Sequence, residues 1–91
     1  MSSEESIRST LLDDSAREIV KFCKEPRASS EIIDNMVKKQ TAQYGRIYWE
    51  RIVSDNLRRL EGVKAIEYVA GNRWKFTEEG KRVLEKFFGG A

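Results

Sequence analysis

Histidine is absent from this chain of 91 residues, which has a single cysteine, Cys23, and a single proline, Pro26. The absence of histidine excludes the usual zinc ligand sets, the Ser-His and Cys-His nucleophile pairs and any imidazole base. A lone cysteine forms no internal disulfide, which fits a reducing compartment. We also find no Gly-rich phosphate loop and no pair of carboxylates placed against a plausible pocket. We therefore expect that the chain is not an enzyme and holds neither a metal nor another cofactor.

Long hydrophobic runs are lacking too. Apolar runs such as Ile32-Ile33 and Phe87-Phe88 are short, so we expect no segment to span a membrane. The first residues, Met-Ser-Ser-Glu-Glu, have neither the basic start nor the apolar centre of a secretion signal. A chain of 91 residues is long enough for one compact domain but not for two. We expect a single-domain, cytoplasmic protein without a membrane partner.

The charge is distributed unevenly, although the whole chain has a net charge of only +2. Residues 1–20 have a net charge of −3, residues 21–43 of +2, residues 44–76 of +3, and the remainder is neutral. A net charge this small does not by itself indicate a nucleic-acid partner. Its distribution makes the segment over residues 44–76 the most basic part of the chain.

Helical periodicity begins near the N-terminus. An apolar stripe that starts at Ile7 keeps spacings of three and four residues over several turns. The pattern predicts a helix over residues 14–24, capped by Asp13 or Asp14. The alternative is one longer helix that begins at about the fourth residue. Residues 1–12 are accordingly interpreted as an N-terminal extension, which is helical in the second case.

A second helix is predicted over residues 30–41. Ser29 or Ser30 is expected to cap it, and Glu31 in the first turn complements the helix dipole. Its periodicity is lost before Gly45, where a turn is expected. The residues predicted to form its buried side are Ile32, Ile33, Met36 and Val37.

The third predicted helix covers residues 46–61 and ends at Gly62, since glycine is common just past a last turn. At 100° per residue, four residues form one apolar stripe that we expect to face the core: Trp49, Val53, Leu57 and Leu60. The opposite, open side contains Tyr48, Arg51, Ser54, Asp55 and Arg58, with Ile52 and Arg59 at an edge.

A β-hairpin over residues 63–76 follows, with Gly71-Asn72 as a two-residue loop. This loop length sets Val69 opposite Trp74. The expected apolar face contains Val63, Ala65, Trp74 and Phe76, and the expected basic face contains Lys64, Tyr68, Arg73 and Lys75. A slip of one residue would exchange the two faces. Thr77 is predicted to cap a last helix over residues 78–88.

The order helix, turn, basic helix, basic hairpin, helix rests on three segments: ASSEIIDNMVKK, IVSDNLRRLEGVKAIEYV and GNRWKFTEEGKRVLEKF. In these the chain resembles a winged helix-turn-helix domain of small archaeal and bacterial transcription regulators, from about Ala16 to Phe88. The resemblance implies an α+β, mostly helical domain over residues 13–91, with a three-helix core, a two-stranded wing and a C-terminal helix. It also implies that the third helix is the recognition helix and that residues 70–75 form the wing.

The leading hypothesis is a double-stranded DNA-binding transcription regulator that acts as a homodimer. Arginine both clamps phosphates and contacts guanine bidentately, so we expect the open helix face and the wing to touch DNA. The candidate DNA-binding residues are Arg46, Tyr48, Arg51, Ser54, Arg58, Arg59, Asn72, Arg73 and Lys75. The candidate dimer-interface residues, which alternatively close the core from two sides, are Leu11, Leu12, Phe87 and Phe88.

Two other functions stay open. In a winged-helix protein-interaction module, the arginines of the third helix would only support that helix through pairs with Asp55 and Glu61. The mixed charge of the helix and the small net charge favour this alternative. An architectural protein that coats any duplex is the third hypothesis. For Tyr48, stacking on DNA and packing against the second helix are equally compatible with the sequence. Asn72 and Arg73 either contact DNA or serve only as turn residues.

Overall fold

The computed structural model describes residues 3–39 and 44–89. These residues form an α+β, mostly helical fold with five helices and three strands. In chain order the elements are α1 (Ser3–Thr10), α2 (Asp14–Phe22), β1 (Arg27–Ala28), α3 (Ser29–Lys39), α4 (Arg46–Gly62), β2 (Ile66–Val69), β3 (Arg73–Phe76) and α5 (Glu78–Phe88). The last two residues of the predicted second helix, at positions 40 and 41, lie outside the described residues.

The helix predicted over residues 14–24 is α2, which ends at Phe22, and the N-terminal extension contains a separate short helix, α1. A turn follows Thr10, and Asp13 then caps α2 by accepting a hydrogen bond from the Ser15 N–H at 2.9 Å. The sequence predicted Asp13 or Asp14 as the cap, and the structure shows Asp13 in this role. The alternative of one longer helix is wrong. The short α1 packs against α5, so the extension forms part of the fold.

Helix α3 begins without the expected serine cap. Its first residue is Ser29, whose hydroxyl accepts from the Trp74 indole N–H at 3.3 Å and is thereby used to contact β3. The Glu31 carboxylate instead reaches back to the Ala28 N–H at 2.8 Å. A glutamate in the first turn can bind an N–H group at a helix start in this way.

The sheet differs from the expectation in strand number and in register. Strand β1 was not predicted, and it pairs with β3 to give the antiparallel order β1-β3-β2. Val69 lies opposite Arg73 rather than Trp74, so three residues rather than two connect the strands. Within this loop Gly71 and Asn72 both have positive φ, at 83° and 57°.

The observed register resolves a conflict in the predicted one, which had placed Glu67 on the apolar side and Ile66 on the basic side. Partners across the ladder share a face, and one face contains Ile66, Tyr68, Trp74 and Phe76. The other face contains Glu67, Val69, Arg73 and Lys75. Both Ile66 and Phe76 are buried, whereas Glu67 and Lys75 are exposed. The single-residue slip removes the conflict by exchanging the faces of β2.

The core lies where the five helices and the hairpin meet, with Ile32 and Met36 buried on α3 as predicted and Phe76 buried on β3. The predicted stripe of α4 is confirmed, because Trp49, Val53, Leu57 and Leu60 are all buried. Helix α4 continues through Gly62, and Lys64, two residues later, has the left-handed φ of 66°. The Thr77 hydroxyl accepts from the Gly80 N–H at 2.9 Å and caps α5, as predicted.

Cys23 is fully buried in this core, as expected for a small hydrophobic side chain. Burial raises the pKa of its thiol to about 12, although Arg27 opposes the shift. Because only the thiolate reacts, we expect native Cys23 to react with a disulfide reagent at pH 8 at least about 100-fold more slowly than in urea. Thiol labelling in both conditions measures this. Comparable rates would contradict the buried placement.

Candidate nucleic-acid interface

Helix α4 is held between α2 and α3 on its apolar side, which leaves its opposite side open to solvent. Gly45 precedes the helix and has no side chain to cap it, and the first turn contains no acidic residue. The positive end of the helix dipole is therefore not neutralised by a local carboxylate. The open face expected from the sequence is present. Its side chains differ in whether they already form ion pairs or hydrogen bonds within the chain.

Arg51 and Arg58 are exposed, and neither forms an ion pair or a side-chain hydrogen bond with another described residue. They lie seven residues apart, about 10 Å along the helix axis and on the same side. Asp55 lies between them but is paired with neither. The supporting pairs with Asp55 and Glu61 that the interaction-module alternative assumed are therefore not observed.

Arg46, at the start of α4, is already engaged. Its guanidinium forms an ion pair with Asp34 of α3, and its Nε lies 3.5 Å from Glu50. The hydrogen bond and the charge of Asp34 raise the pKa of Arg46 above its ordinary value. These contacts join the start of α4 to α3, with one guanidinium shared between the carboxylates of Asp34 and Glu50.

Arg59, near the other end of α4, is engaged as well. One of its guanidinium nitrogens lies 3.4 Å from the Asp13 carboxylate, which also caps α2, and donates to the Asn56 side-chain oxygen at 3.3 Å. Arg59 thus links α4 to the start of α2. Of the four arginines expected to contact DNA from this helix, two are used within the chain and two are free.

The aromatic residues at the start of α4 stack on one another. The rings of Tyr44 and Tyr48 lie 4.2 Å apart and nearly parallel, and Tyr48 also meets Trp49 edge-on at 5.1 Å. Tyr48 is 41% exposed. Ile47, which was not among the predicted site residues, is 83% exposed beside this stack. The same helical projection that selected Arg51 would have found it, because Ile47 precedes Arg51 by one turn.

A groove of about 330 Å³ lies between α3, α4 and β3. Ser54 and Arg58 line it from α4, and Trp74 lines it from β3. Ser54 is exposed at this edge. The groove shows that the hairpin lies beside the open face of α4 and not behind the helix.

In the hairpin, Arg73 and Lys75 are exposed and share a face, but not with Tyr68 as expected. Tyr68 lies on the Trp74 side, with the two rings 4.8 Å apart. The Tyr68 hydroxyl donates to the Asn72 side-chain oxygen at 2.6 Å. Asn72 therefore has a structural part in the loop, whereas Arg73 and Lys75 form no ion pair with any described residue.

The four candidate dimer residues occupy different environments. Leu11 is fully buried, which places it in the core of its own chain. Phe87 and Phe88 are partly buried against that core, with the guanidinium groups of Arg8 at 4.3 Å and Arg17 at 5.2 Å over their rings. Leu12 is 68% exposed. Of the four, Leu12 presents the most apolar surface to solvent.

Within residues 3–39 and 44–89, no cluster of three or more His, Cys, Asp or Glu side chains is arranged to hold a metal ion. No helix in the same described part is both long enough and apolar enough to cross a membrane. Comparisons of the chain with protein-family models, with curated proteins and with solved structures found no match. The function must therefore be inferred from the residues of the site themselves.

Proposed function

We propose that this chain is a double-stranded DNA-binding transcription regulator with a winged helix-turn-helix fold. In this proposal α4 is the recognition helix in the major groove, and the β2–β3 hairpin is the wing on the flanking backbone. The observation that carries it is the pair of exposed, unpaired guanidinium groups of Arg51 and Arg58 on the open face of α4. Free arginines are available for phosphates and base edges without first breaking an internal ion pair.

The charge left after internal pairing supports a polyanionic partner. Over residues 44–76 the cations without an ion pair are Arg51, Arg58, Lys64, Arg73 and Lys75. The carboxylates without one are Asp55, Glu61 and Glu67. Arg46 and Arg59 are paired with Glu50 inside this segment and with Asp34 and Asp13 outside it. A small excess of positive charge therefore remains on the surface formed by α4 and the hairpin. Such a surface attracts the phosphate backbone.

The dimensions also suit a duplex. A helix of 17 residues is about 25 Å long, and the major groove of B-DNA, about 12 Å wide, admits an α-helix. Trp74 of the hairpin lines the same groove as Arg58, so the hairpin lies next to α4. Arg73 and Lys75 extend from the opposite, exposed face of the hairpin, and in this proposal they contact the flanking DNA backbone. Ser54, exposed between the two free arginines, completes the proposed contact face.

The homodimer belongs to the proposal as well. Two copies of α4 related by two-fold symmetry would meet half-sites about one helical turn apart. Among the four predicted interface residues, Leu12 has the most exposed apolar side chain. Sedimentation equilibrium of the free chain, and of its complex with a selected duplex, measures the oligomeric state directly.

The test is fluorescence anisotropy with a pool of random duplexes at several salt concentrations, followed by sequencing of the retained DNA. With two to four phosphates neutralised, we expect a slope of log K against log salt of about −2 to −4. An enriched, roughly palindromic site would support a dimeric regulator. Equal affinity for every duplex with a steep slope would instead indicate an architectural protein. Absence of binding at low salt would contradict DNA binding altogether.

A protein-interaction module is the second candidate, and one observation favours it. Ile47, Tyr44 and Tyr48 form an exposed apolar and aromatic cluster at the start of α4. Exposed apolar clusters often mark protein contact sites. If the duplex assay is negative at low salt, this cluster becomes the first surface to test for a protein partner.

A further inference from the structure

Ile47 is the most exposed large hydrophobic side chain among the described residues, at 83%. It lies in the first turn of α4, one turn before the unpaired Arg51 and on the same side of the helix. No other residue of the described ranges covers it, and the neighbouring Tyr44 and Tyr48 rings are stacked on each other. An exposed aliphatic side chain therefore lies one turn before a free cation on the face proposed to meet DNA.

Ile47 lies at the end of α4 where backbone N–H groups are left without a local cap. The first turn of α4 has no acidic residue and no side-chain cap, so the positive end of its dipole is exposed. The carboxylates on this side of the helix are Glu50, which is paired with Arg46, and Asp55, which lies two turns after Ile47. The helix start and the free Arg51 one turn further on can both contact an anionic partner beside Ile47.

The edges of the bases in the major groove offer one methyl group, the C5-methyl of thymine, and otherwise hydrogen-bonding groups. Residues in the first turns of a recognition helix are those that reach base edges. A β-branched side chain has few rotamers to lose, so an isoleucine is partly preorganised for such a contact. Ile47 has the chemistry and the position for an apolar base contact.

We propose that Ile47 is a specificity-determining residue that packs on the C5-methyl group of a thymine, while Arg51 contacts the adjacent backbone or base. The inference rests on the proposed function and goes beyond it in assigning one base type to one side chain. It implies that at least one position of the preferred site is thymine, and that the methyl group rather than the hydrogen-bonding pattern is recognised there.

The experiment replaces each thymine of the selected duplex in turn by deoxyuridine, which lacks only the methyl group. With the unmodified protein, we expect one or two replacements to weaken binding about fourfold, the change expected for one buried methyl group. The variant Ile47→Ala should bind the thymine and deoxyuridine duplexes with equal affinity. Ile47→Val is the matched control, because it keeps the β-branched methyl groups at the same exposed position and should retain the discrimination.

The outcomes separate this inference from the function on which it rests. If the unmodified protein binds no duplex, the proposed function fails. If it binds a selected site but tolerates every deoxyuridine, or if Ile47→Ala discriminates as well as the unmodified protein, only the assignment of Ile47 fails. Thermal unfolding of both variants verifies that they are folded, as expected for exposed side chains.

Discussion

Replacing both Arg51 and Arg58 with alanine is expected to weaken duplex binding about 100-fold or more. Each arginine that contacts a base or phosphate contributes about 1–3 kcal/mol, and both side chains are free to do so. The measurement is an anisotropy titration with the selected duplex at fixed salt. The slope of affinity against salt should also become shallower by about 1 for each lost phosphate contact.

The matched control is the double replacement Arg46→Ala and Arg59→Ala, which removes the same charge from the same helix. Both of these arginines are engaged, with Asp34 and Glu50 in one case and Asp13 in the other. Their removal leaves these three carboxylates without an arginine partner, but exposed ion pairs contribute little to stability. We expect the control to weaken binding less than tenfold, through its loss of charge.

An equal loss of affinity in the two double variants would mean that net charge alone governs binding, and it would favour the architectural hypothesis. No loss in the variant without Arg51 and Arg58 would remove the open face of α4 from the DNA contact. Thermal unfolding of both proteins is needed beside the titrations, so that a weakened fold is not mistaken for a lost contact.

Local patterns predicted the helices well, because helix periodicity and caps depend on residues close in sequence. The α4 stripe from Trp49 to Leu60 and the Thr77 cap are of this kind. The break between α1 and α2 was harder to predict, since the apolar spacing continues across it. There the decisive feature is the Asp13 cap, one of two adjacent aspartates that the pattern alone did not distinguish.

Strand pairing was less predictable because it depends on distant partners. The two residues of β1 become a strand only because β3 lies beside them. The hairpin register was wrong by one residue, although the predicted faces already conflicted at Ile66 and Glu67. The prediction followed the preference of Gly71-Asn72 for a two-residue loop. A register chosen to bury Ile66 and expose Glu67 would instead have given the observed three-residue connection.

The open face of α4 was predictable from the helical projection, but the engagement of its arginines was not. Asp34 is 12 residues from Arg46, and Asp13 is 46 residues from Arg59, so both ion pairs depend on the tertiary arrangement. The sequence therefore indicates which side chains lie on the surface. The structure is needed to distinguish arginines that link two helices through ion pairs from arginines without an ion pair. Arg51 and Arg58 are distinguished from Arg46 and Arg59 by this difference.

Replacing Gly80 with alanine is expected to destabilise the fold by about 2–3 kcal/mol, although alanine is the better helix former. Gly80 is buried in the first turn of α5, where an added Cβ would lie 2.2 Å from the Ala65 carbonyl oxygen. Real side chains do not tolerate such a distance, so α5 or the chain at Ala65 must move. For a domain of this size the loss corresponds to a fall in Tm of about 10–20 °C.

The chain at Ala65 cannot move freely, because its backbone is bonded on both sides. Its carbonyl accepts from the Thr77 N–H at 3.0 Å, and its N–H donates to the Leu60 carbonyl at 2.9 Å. A shift would break the connection between the end of α4 and the start of α5. Since total stability for a domain of this size is about 5–14 kcal/mol, a loss of this size is readily measured by urea or thermal unfolding.

Gly62→Ala is the control that separates close approach from helix propensity. Gly62 is the last residue of α4, it has no positive φ, and a Cβ there would meet nothing within 4 Å. Alanine at this position should leave stability unchanged or raise it by up to about 1 kcal/mol. If Gly80→Ala were as harmless as Gly62→Ala, α5 could not pack against Ala65 as closely as described. The hairpin that begins at Ile66 would then lack the support that positions it beside α4.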